Sequence, residues 1–202
     1  GLDHLTQKTH FSGGSGALIE KPQLALWLLA LGLLALVIVI TIGFYFVFES
    51  GISILIMGIL GVLLIVGYTE WINRMPRMCL IAPGLGFGIF IVLGTHMALA
   101  KEISWAAVSV AMMTFFWVNN LLLVNQLPDI DADSQVGRRH FSIIYGIQKT
   151  QQVYAVFALL AYAILIAAVS FHVLPWWALV VFITIPLVAM TYKGIDLYGK
   201  HI

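Results

Sequence analysis

Residues 24–48 read LALWLLALGLLALVIVITIGFYFVF, a run of 25 residues without a single acidic or basic side chain. A helix needs about 20 apolar residues to cross the hydrocarbon core of a bilayer. Because lipid offers no hydrogen-bonding partners, a segment that crosses it must satisfy its own backbone groups, as an α-helix does. The stretch therefore predicts a transmembrane helix.

Further apolar runs follow along the chain, at residues 52–69, 80–99, 104–126, 152–172 and 176–192. Charged residues make up only 9% of the chain and hydrophobic residues 61%, whereas a soluble domain has about 25% charged residues. We therefore expect an all-α integral membrane protein of about six transmembrane helices, with residues 1–202 as one domain. A net charge of +1 gives no reason to expect a nucleic-acid partner.

The basic residues indicate how such helices are oriented. If the N-terminal segment lies inside and six helices alternate, nine of the ten basic residues fall on the inner side and only Lys101 lies outside. Cytoplasmic loops of multi-pass membrane proteins carry such an excess of Lys and Arg. We therefore expect Lys8 and the loop after Pro128 to share the cytoplasmic face.

That loop is the most polar part of the chain, and residues 125–139 read NQLPDIDADSQVGRR. It holds three of the nine acidic residues, and charged groups at a membrane edge are costly enough to suggest a functional site. On a continuous helix, Asn125, Asp129 and Asp133 would recur every four residues and share one face, while Asp131 would point elsewhere.

The residue types in this loop suit a metal-bound phosphate. Mg²⁺ commonly binds through one or two carboxylates, several waters and substrate phosphates, and Asp129 and Asp133 could provide the carboxylates. Arg138 and Arg139 come next, and the arginine guanidinium makes bidentate contacts with phosphate. Gly137 would let the backbone turn so that both kinds of group face one ligand.

Other interpretations of the aspartates are open. A calcium-binding EF-hand loop is excluded, because its sixth and twelfth positions need Gly and Glu where this chain has Ser134 and His140. The acids and arginines could simply pair in a solvated loop. A transporter could use the aspartates for a coupling ion, although such sites tend to lie near mid-membrane. A CDP-alcohol phosphotransferase would need an Asp-Gly and Ala-Arg pair that this chain lacks.

The same residues support a resemblance to a known family. The segment Asn125 to Asp133, with Gly137-Arg138-Arg139 and Tyr145-Gly146 after it, is similar to the second aspartate-rich motif of the UbiA superfamily of intramembrane prenyltransferases. Its spacing is most similar to that of the menaquinone-type branch, which prenylates 1,4-dihydroxy-2-naphthoate.

The N-terminal segment extends this resemblance. Gly1-Leu2-Asp3 and residues 11–16, FSGGSG, resemble the residues that come after the first aspartate-rich motif of the family, and that motif would lie just before Gly1. Four spans between the two motifs and two after the second resemble helices three to eight of a nine-helix bundle. We therefore expect a fragment, truncated at both ends and inactive by itself. By analogy we expect a prokaryotic plasma membrane.

The resemblance implies transfer of a prenyl chain from a prenyl diphosphate to an aromatic quinone precursor, with Mg²⁺ as cofactor and the lipid bilayer as surroundings. The catalytic residues it implies are Asp129, Asp133, Arg138 and Arg139. The metal ligands it implies are Asp129, Asp133 and, as the third candidate, Asp131. The candidate substrate-binding residues are Lys8, Asn125, Asn119, Asp3 and Tyr68.

Two departures from the family pattern concern the acceptor more than the diphosphate. The family often has Gly-Leu-Gly-Glu in the loop between its fourth and fifth helices, and here Gly84-Leu85-Gly86 is followed by Phe87. The menaquinone-type branch usually has Thr after the basic pair, and this chain has His140.

Overall fold

The computed structural model describes residues 21–135 and 137–200, and no strand occurs in that part of the chain. Its helices, numbered in chain order, are α1 (Leu24–Ser50), α2 (Ile52–Glu70), α3 (Pro76–Pro83, then the π-helical Gly84–Phe90, then Ile91–Ala100), α4 (Trp105–Asn125), α5 (Ile130–Gln135), α6 (Phe141–Ser170) and α7 (the 3₁₀-helical Trp176–Thr184, then Ile185–Lys200). A short 3₁₀ turn, Ile72–Arg74, joins α2 to α3.

Among the described helices, α1, α3, α4, α6 and α7 are long and apolar enough to cross a membrane. Helix α2 is apolar over Ile52–Tyr68 but shorter than these five. Only Gly51 separates α1 from α2, and its φ of 91° suits a residue without a Cβ. The expected all-α membrane fold is confirmed. Where about six transmembrane helices were expected, the described residues form five helices long enough to span a bilayer and one shorter apolar helix.

The largest difference from the predicted boundaries is at α6. The fifth apolar run predicts a helix over 152–172, but α6 begins at Phe141 and bends at Gly146, whose φ is 78°. The buried Thr150 hydroxyl lies 3.1 Å from Ser142 Oγ and 2.9 Å from the Gly146 carbonyl oxygen. Because these polar groups satisfy one another, the bundle can bury a segment that composition alone places in a loop.

Helix α4 is the centre of the bundle and packs most extensively against α6 and α3. Its approach to α3 depends on two glycines of the π-helical segment. A Cβ added at Gly88 would lie 2.5 Å from Phe115 Cα, and one added at Gly84 would lie 2.6 Å from the Phe115 carbonyl oxygen. Small residues allow helix backbones to approach this closely in membranes.

A buried apolar cluster lies at the end of the bundle that carries the acidic loop. It joins four helices or their ends through Leu80, Leu123, Leu127, Tyr154 and Ile195. Ile130, Phe141 and Tyr198 pack against it. The backbone on both sides of the loop is therefore held by apolar packing.

Candidate functional site

The acidic loop begins where α4 ends, and it is not a continuation of that helix. Helix α4 ends at Asn125, residues 126–129 form turns that include Pro128, and α5 begins at Ile130. The expectation that Asn125 shares one helical face with Asp129 and Asp133 is therefore wrong. Proline lacks the N–H that would continue the α4 hydrogen-bond ladder, which explains the break.

The two outer aspartates nevertheless lie one helical turn apart. The backbone N–H of Asp133 donates to the carbonyl oxygen of Asp129 over 2.7 Å. Residues with this four-residue spacing project from the same side of a helix. Both side chains are half-buried, whereas Asn125 and Asp131 are exposed.

The turn before Asp129 is anchored from α7. The Tyr198 hydroxyl donates to the carbonyl oxygen of Leu127 over 2.9 Å. The Leu127 side chain itself is buried in the apolar cluster beside Ile195. This anchor was not expected from the sequence, because nothing in the pattern around Tyr198 connects it with a turn 71 residues earlier.

The carboxylate of Asp133 is held between two cationic or potentially cationic side chains. Arg138 Nη1 donates to Asp133 Oδ1 over 3.1 Å, and His140 Nε2 lies 3.6 Å from Asp133 Oδ2. Asp133 is 13% exposed and His140 2%, whereas Arg138 is 57% exposed. Arg138 therefore keeps several of its five N–H donors accessible to a ligand while one nitrogen positions the aspartate.

His140 has an altered protonation equilibrium because of its position. Burial lowers the pKa of the imidazole below its ordinary value of 6.5, the Asp133 carboxylate opposes this change, and Arg138 adds to it. The histidine is consequently neutral at pH 7. A neutral imidazole does not neutralise Asp133, so Arg138 is the charged partner of that carboxylate.

A second group of polar side chains lies beside the loop at the ends of α2, α3 and α4. The Tyr68 hydroxyl lies 3.8 Å from the sulfur of the buried Cys79, and Gln126 Nε2 lies 3.6 Å from the same sulfur. Tyr68 is also within electrostatic reach of Asp133 and Arg138. The structure thus places Tyr68 within electrostatic reach of the loop, with Cys79 and Gln126 as its neighbours. Its role in substrate binding stays a prediction.

The amides of α4 are buried deeper in the bundle. Asn119 Oδ1 accepts a hydrogen bond from the Gly84 backbone N–H over 2.7 Å, and Asn120 Nδ2 donates to the Tyr154 carbonyl oxygen over 3.0 Å. Both side chains therefore connect α4 to neighbouring helices. Asn119 thus has a structural contact with Gly84. Its contact with substrate stays a prediction.

An apolar cavity of about 530 Å³ runs from Tyr68 along the contact of α2 with α3 and α4. It is lined by Gly61, Leu64, Ile65, Tyr68, Ala82, Pro83, Gly86, Phe87, Phe90, Ile91 and Leu122. A second apolar cavity, of about 340 Å³, lies between α1 and α2. Tyr68, at one end of the first cavity, lies within electrostatic reach of the acidic loop.

No group of three or more His, Cys, Asp or Glu side chains within residues 21–135 and 137–200 is arranged to hold a metal ion by itself. Arg139 and Asp131 are exposed on the loop surface. Asp3 and Lys8 lie outside the described residues. The described residues of this loop therefore do not form a complete metal site by themselves.

The family model of the UbiA prenyltransferase family matches residues 17–199. The match covers helices α1 to α6, the acidic loop and all of α7 except Lys200. Comparison with curated proteins and comparison with solved structures gave no match.

Proposed function

Because the chain belongs to the UbiA prenyltransferase family, we propose that its acidic loop binds a prenyl diphosphate through Mg²⁺ and that an aromatic quinone precursor accepts the prenyl group. The family membership implies prenyl transfer to an acceptor. The observation that supports the finer proposal is that Tyr68, at the end of an apolar cavity, lies within electrostatic reach of the Asp133–Arg138 pair. One site thus offers groups for a charged diphosphate next to space for a hydrocarbon tail.

The loop fits Mg²⁺ by the chemistry of its donors. Asp129 and Asp133 lie one helical turn apart and offer carboxylate oxygens, which this hard cation prefers. Mg²⁺ seldom uses a cage of protein ligands alone and usually keeps waters and substrate phosphates, so the lack of a three-residue cluster in the described part is compatible with it. Asp129 and Asp133 would hold the ion, with Asp131 as a further ligand. The bound ion would neutralise charge on the diphosphate.

The arginines would act on the leaving group. As the allylic carbon–oxygen bond breaks, negative charge grows on the diphosphate, and fixed positive charges stabilise that state. Arg138 is positioned by Asp133, and Arg139 is exposed beside it. We propose that both contact diphosphate oxygens, and that Lys8 and Asp3 extend the same site.

The aromatic acceptor would approach the reacting carbon near Tyr68, where the cavity meets the polar loop. We propose that Asn125, which is exposed at the end of α4, contacts a ligand that enters from the loop side. The resemblance of the loop to the menaquinone-type branch supports a dihydroxynaphthoate-like ring. The distribution of basic residues supports a cytoplasmic position for the loop. A prokaryotic plasma membrane is proposed by analogy with the family alone.

The test is a prenyl-transfer assay on the purified polypeptide as its gene encodes it, in detergent, with Mg²⁺, a panel of prenyl diphosphates and a panel of aromatic acceptors. Asp129→Ala should abolish Mg²⁺-dependent product formation. Glu102→Gln is the matched control, because it removes an exposed carboxylate from the connection between α3 and α4. The preferred acceptor would identify the branch.

No product from any donor and acceptor pair would overturn the proposal. Cation flux in vesicles that is lost in Asp129→Ala, without prenyl transfer in the parent, would favour a transporter. Equal activity of Asp129→Ala and the parent would mean that the protein is a prenyltransferase whose mechanism does not use Asp129.

A further inference from the structure

One face of α2 lines the cavity that ends at Tyr68. Gly61, Leu64, Ile65 and Tyr68 all line it, and their spacing of three, four and seven residues places them on the same side of a helix. Tyr68 is at the polar end, beside Cys79 and within reach of the Arg138 charge. Gly61 is two helical turns farther into the apolar part, about 10 Å from Tyr68 along the helix axis.

Gly61 leaves open space in this cavity. A Cβ added there would meet no atom of the described residues within 4 Å, apart from its own neighbours in the helix. Across the cavity Gly86 is closer to its surroundings, because its added Cβ would lie 3.4 Å from Leu64 Cδ2. The cavity is therefore narrow near Leu64 and open at Gly61.

We propose that the open space beside Gly61 determines the longest isoprenoid tail that the enzyme accepts. This inference rests on the proposed function, since it assumes that the diphosphate binds at the Asp129–Arg139 loop. A tail that starts near Tyr68 reaches Gly61 only when it extends about 10 Å. The shortest donors end at or near Gly61, and longer donors must pass it.

The position of the cavity favours an isoprenoid tail over a lipid acyl chain. The cavity ends at Tyr68, which lies within electrostatic reach of Asp133 and Arg138, so one amphipathic molecule could place its charged end at the loop and its tail in the cavity. An acyl chain of a bilayer lipid would fill the same space without any relation to donor length. The two occupants therefore predict different results when the cavity is made smaller.

The chain offers a close control in Gly58. It lies three residues before Gly61 in α2, and its added Cβ would likewise meet no described atom within 4 Å. Gly58 lines the other cavity, between α1 and α2. Replacing glycine inside a helix restricts the unfolded chain and improves helix propensity at both positions, so Gly58 and Gly61 variants should fold equally well.

The experiment measures relative turnover and binding of geranyl, farnesyl, geranylgeranyl and longer prenyl diphosphates, in detergent with Mg²⁺ and an excess of acceptor. The proteins are the parent polypeptide, Gly61→Ala, Gly61→Leu and Gly58→Leu. We expect Gly61→Leu to keep the shortest donor and to lose about tenfold to a hundredfold in kcat/KM for the longest one, the range that shape discrimination in an apolar pocket achieves. Gly61→Ala should give a smaller shift in the same direction.

Gly58→Leu should keep the donor preference of the parent. A change of equal size for all donor lengths in Gly61→Leu, or an identical length shift in Gly58→Leu, would overturn the inference and leave the proposed function intact. An unchanged length preference in Gly61→Leu would overturn it as well. Failure of the parent to bind or use any prenyl diphosphate would overturn the proposed function itself, together with this inference.

Discussion

Helices α1 and α4 are both apolar and both long enough to cross a membrane, but of these two only α4 has buried residues. No residue of α1 is buried, whereas α4 buries Ala107, Ala111, Phe116, Asn119, Asn120 and Leu123. The more hydrophobic of the two helices is thus the less packed one. In a bilayer, apolar side chains are as well solvated by lipid as by protein, so small residues and paired amides decide which helices associate.

The same contrast separates the functional part of the molecule from its lipid-facing part. Helix α4 leads directly into the acidic loop, and its end is packed on α3, α6 and α7 through the apolar cluster. The described contacts of α1 are with α2 and α3. Substitutions in α4, its loop and its contacts should therefore have large effects where comparable ones in α1 have almost none. Three predictions compare the two regions directly, and a fourth concerns the loop alone.

The largest effect should come from Asp133→Asn. The neutral amide cannot pair with Arg138 as a carboxylate does and is a poor ligand for Mg²⁺, so we expect prenyl transfer to fall about a hundredfold or more. Leu34→Ala, on the exposed surface of α1, should leave the rate unchanged. Rates with saturating Mg²⁺ check this, and near-parental activity of Asp133→Asn would remove Asp133 from the site.

The second prediction compares a glycine of α3 that packs against α4 with a glycine of α1. Gly88→Ala places a methyl group against the Phe115 backbone, and such overpacking costs about 1–3 kcal/mol of stability. Gly32→Ala in α1 meets no described atom within 4 Å and should be neutral or slightly stabilising. Thermal unfolding in detergent compares the two. Equal stability of both variants would mean that the close approach of α3 and α4 is not needed.

Much of this architecture can be predicted from the sequence, because lipid imposes simple demands. An uncharged run such as residues 24–48 has no alternative to a membrane helix. The acidic loop is likewise visible, since Asp129, Asp131 and Asp133 are conspicuous in a chain with so few charges. The structure brings Tyr68 within electrostatic reach of this loop, and the role of Tyr68 in substrate binding stays a prediction.

The rest could not be predicted, because it depends on contacts between residues far apart in the chain. Composition places the segment around Thr150 in a loop, but its pairing with Ser142 lets it continue α6. The contact of Tyr198 with the Leu127 carbonyl has no local signal. The break between Asn125 and Asp129 is the exception, because Pro128 cannot donate the hydrogen bond that would continue α4 and so predicts where the helix ends.

A smaller effect is expected at Asn119. Asn119→Ala removes the acceptor of the Gly84 backbone N–H, and interhelical hydrogen bonds in membranes contribute about 1 kcal/mol. The control is Thr41→Val in α1, whose hydroxyl donates only to Val37 of its own helix over 2.8 Å. We expect a measurable loss of thermal stability for Asn119→Ala and almost none for Thr41→Val. The reverse order would contradict the view that α4 is the packed helix.

The smallest effect should be a pH dependence of stability due to His140. Because burial lowers the pKa of this imidazole in the folded protein, the unfolded chain binds the proton more readily, and stability should decline as pH falls below about 6.5. The decline should end below the lowered pKa, where both states are protonated. Thermal unfolding measured between pH 8 and 5 without Mg²⁺ should show this decline in stability for the parent protein. The decline should be absent in His140→Gln. Asp133 opposes the pKa shift, so Asp133→Asn should lower the pKa of His140 further and extend the decline to lower pH. An identical profile in the parent and His140→Gln would contradict this account of the buried imidazole.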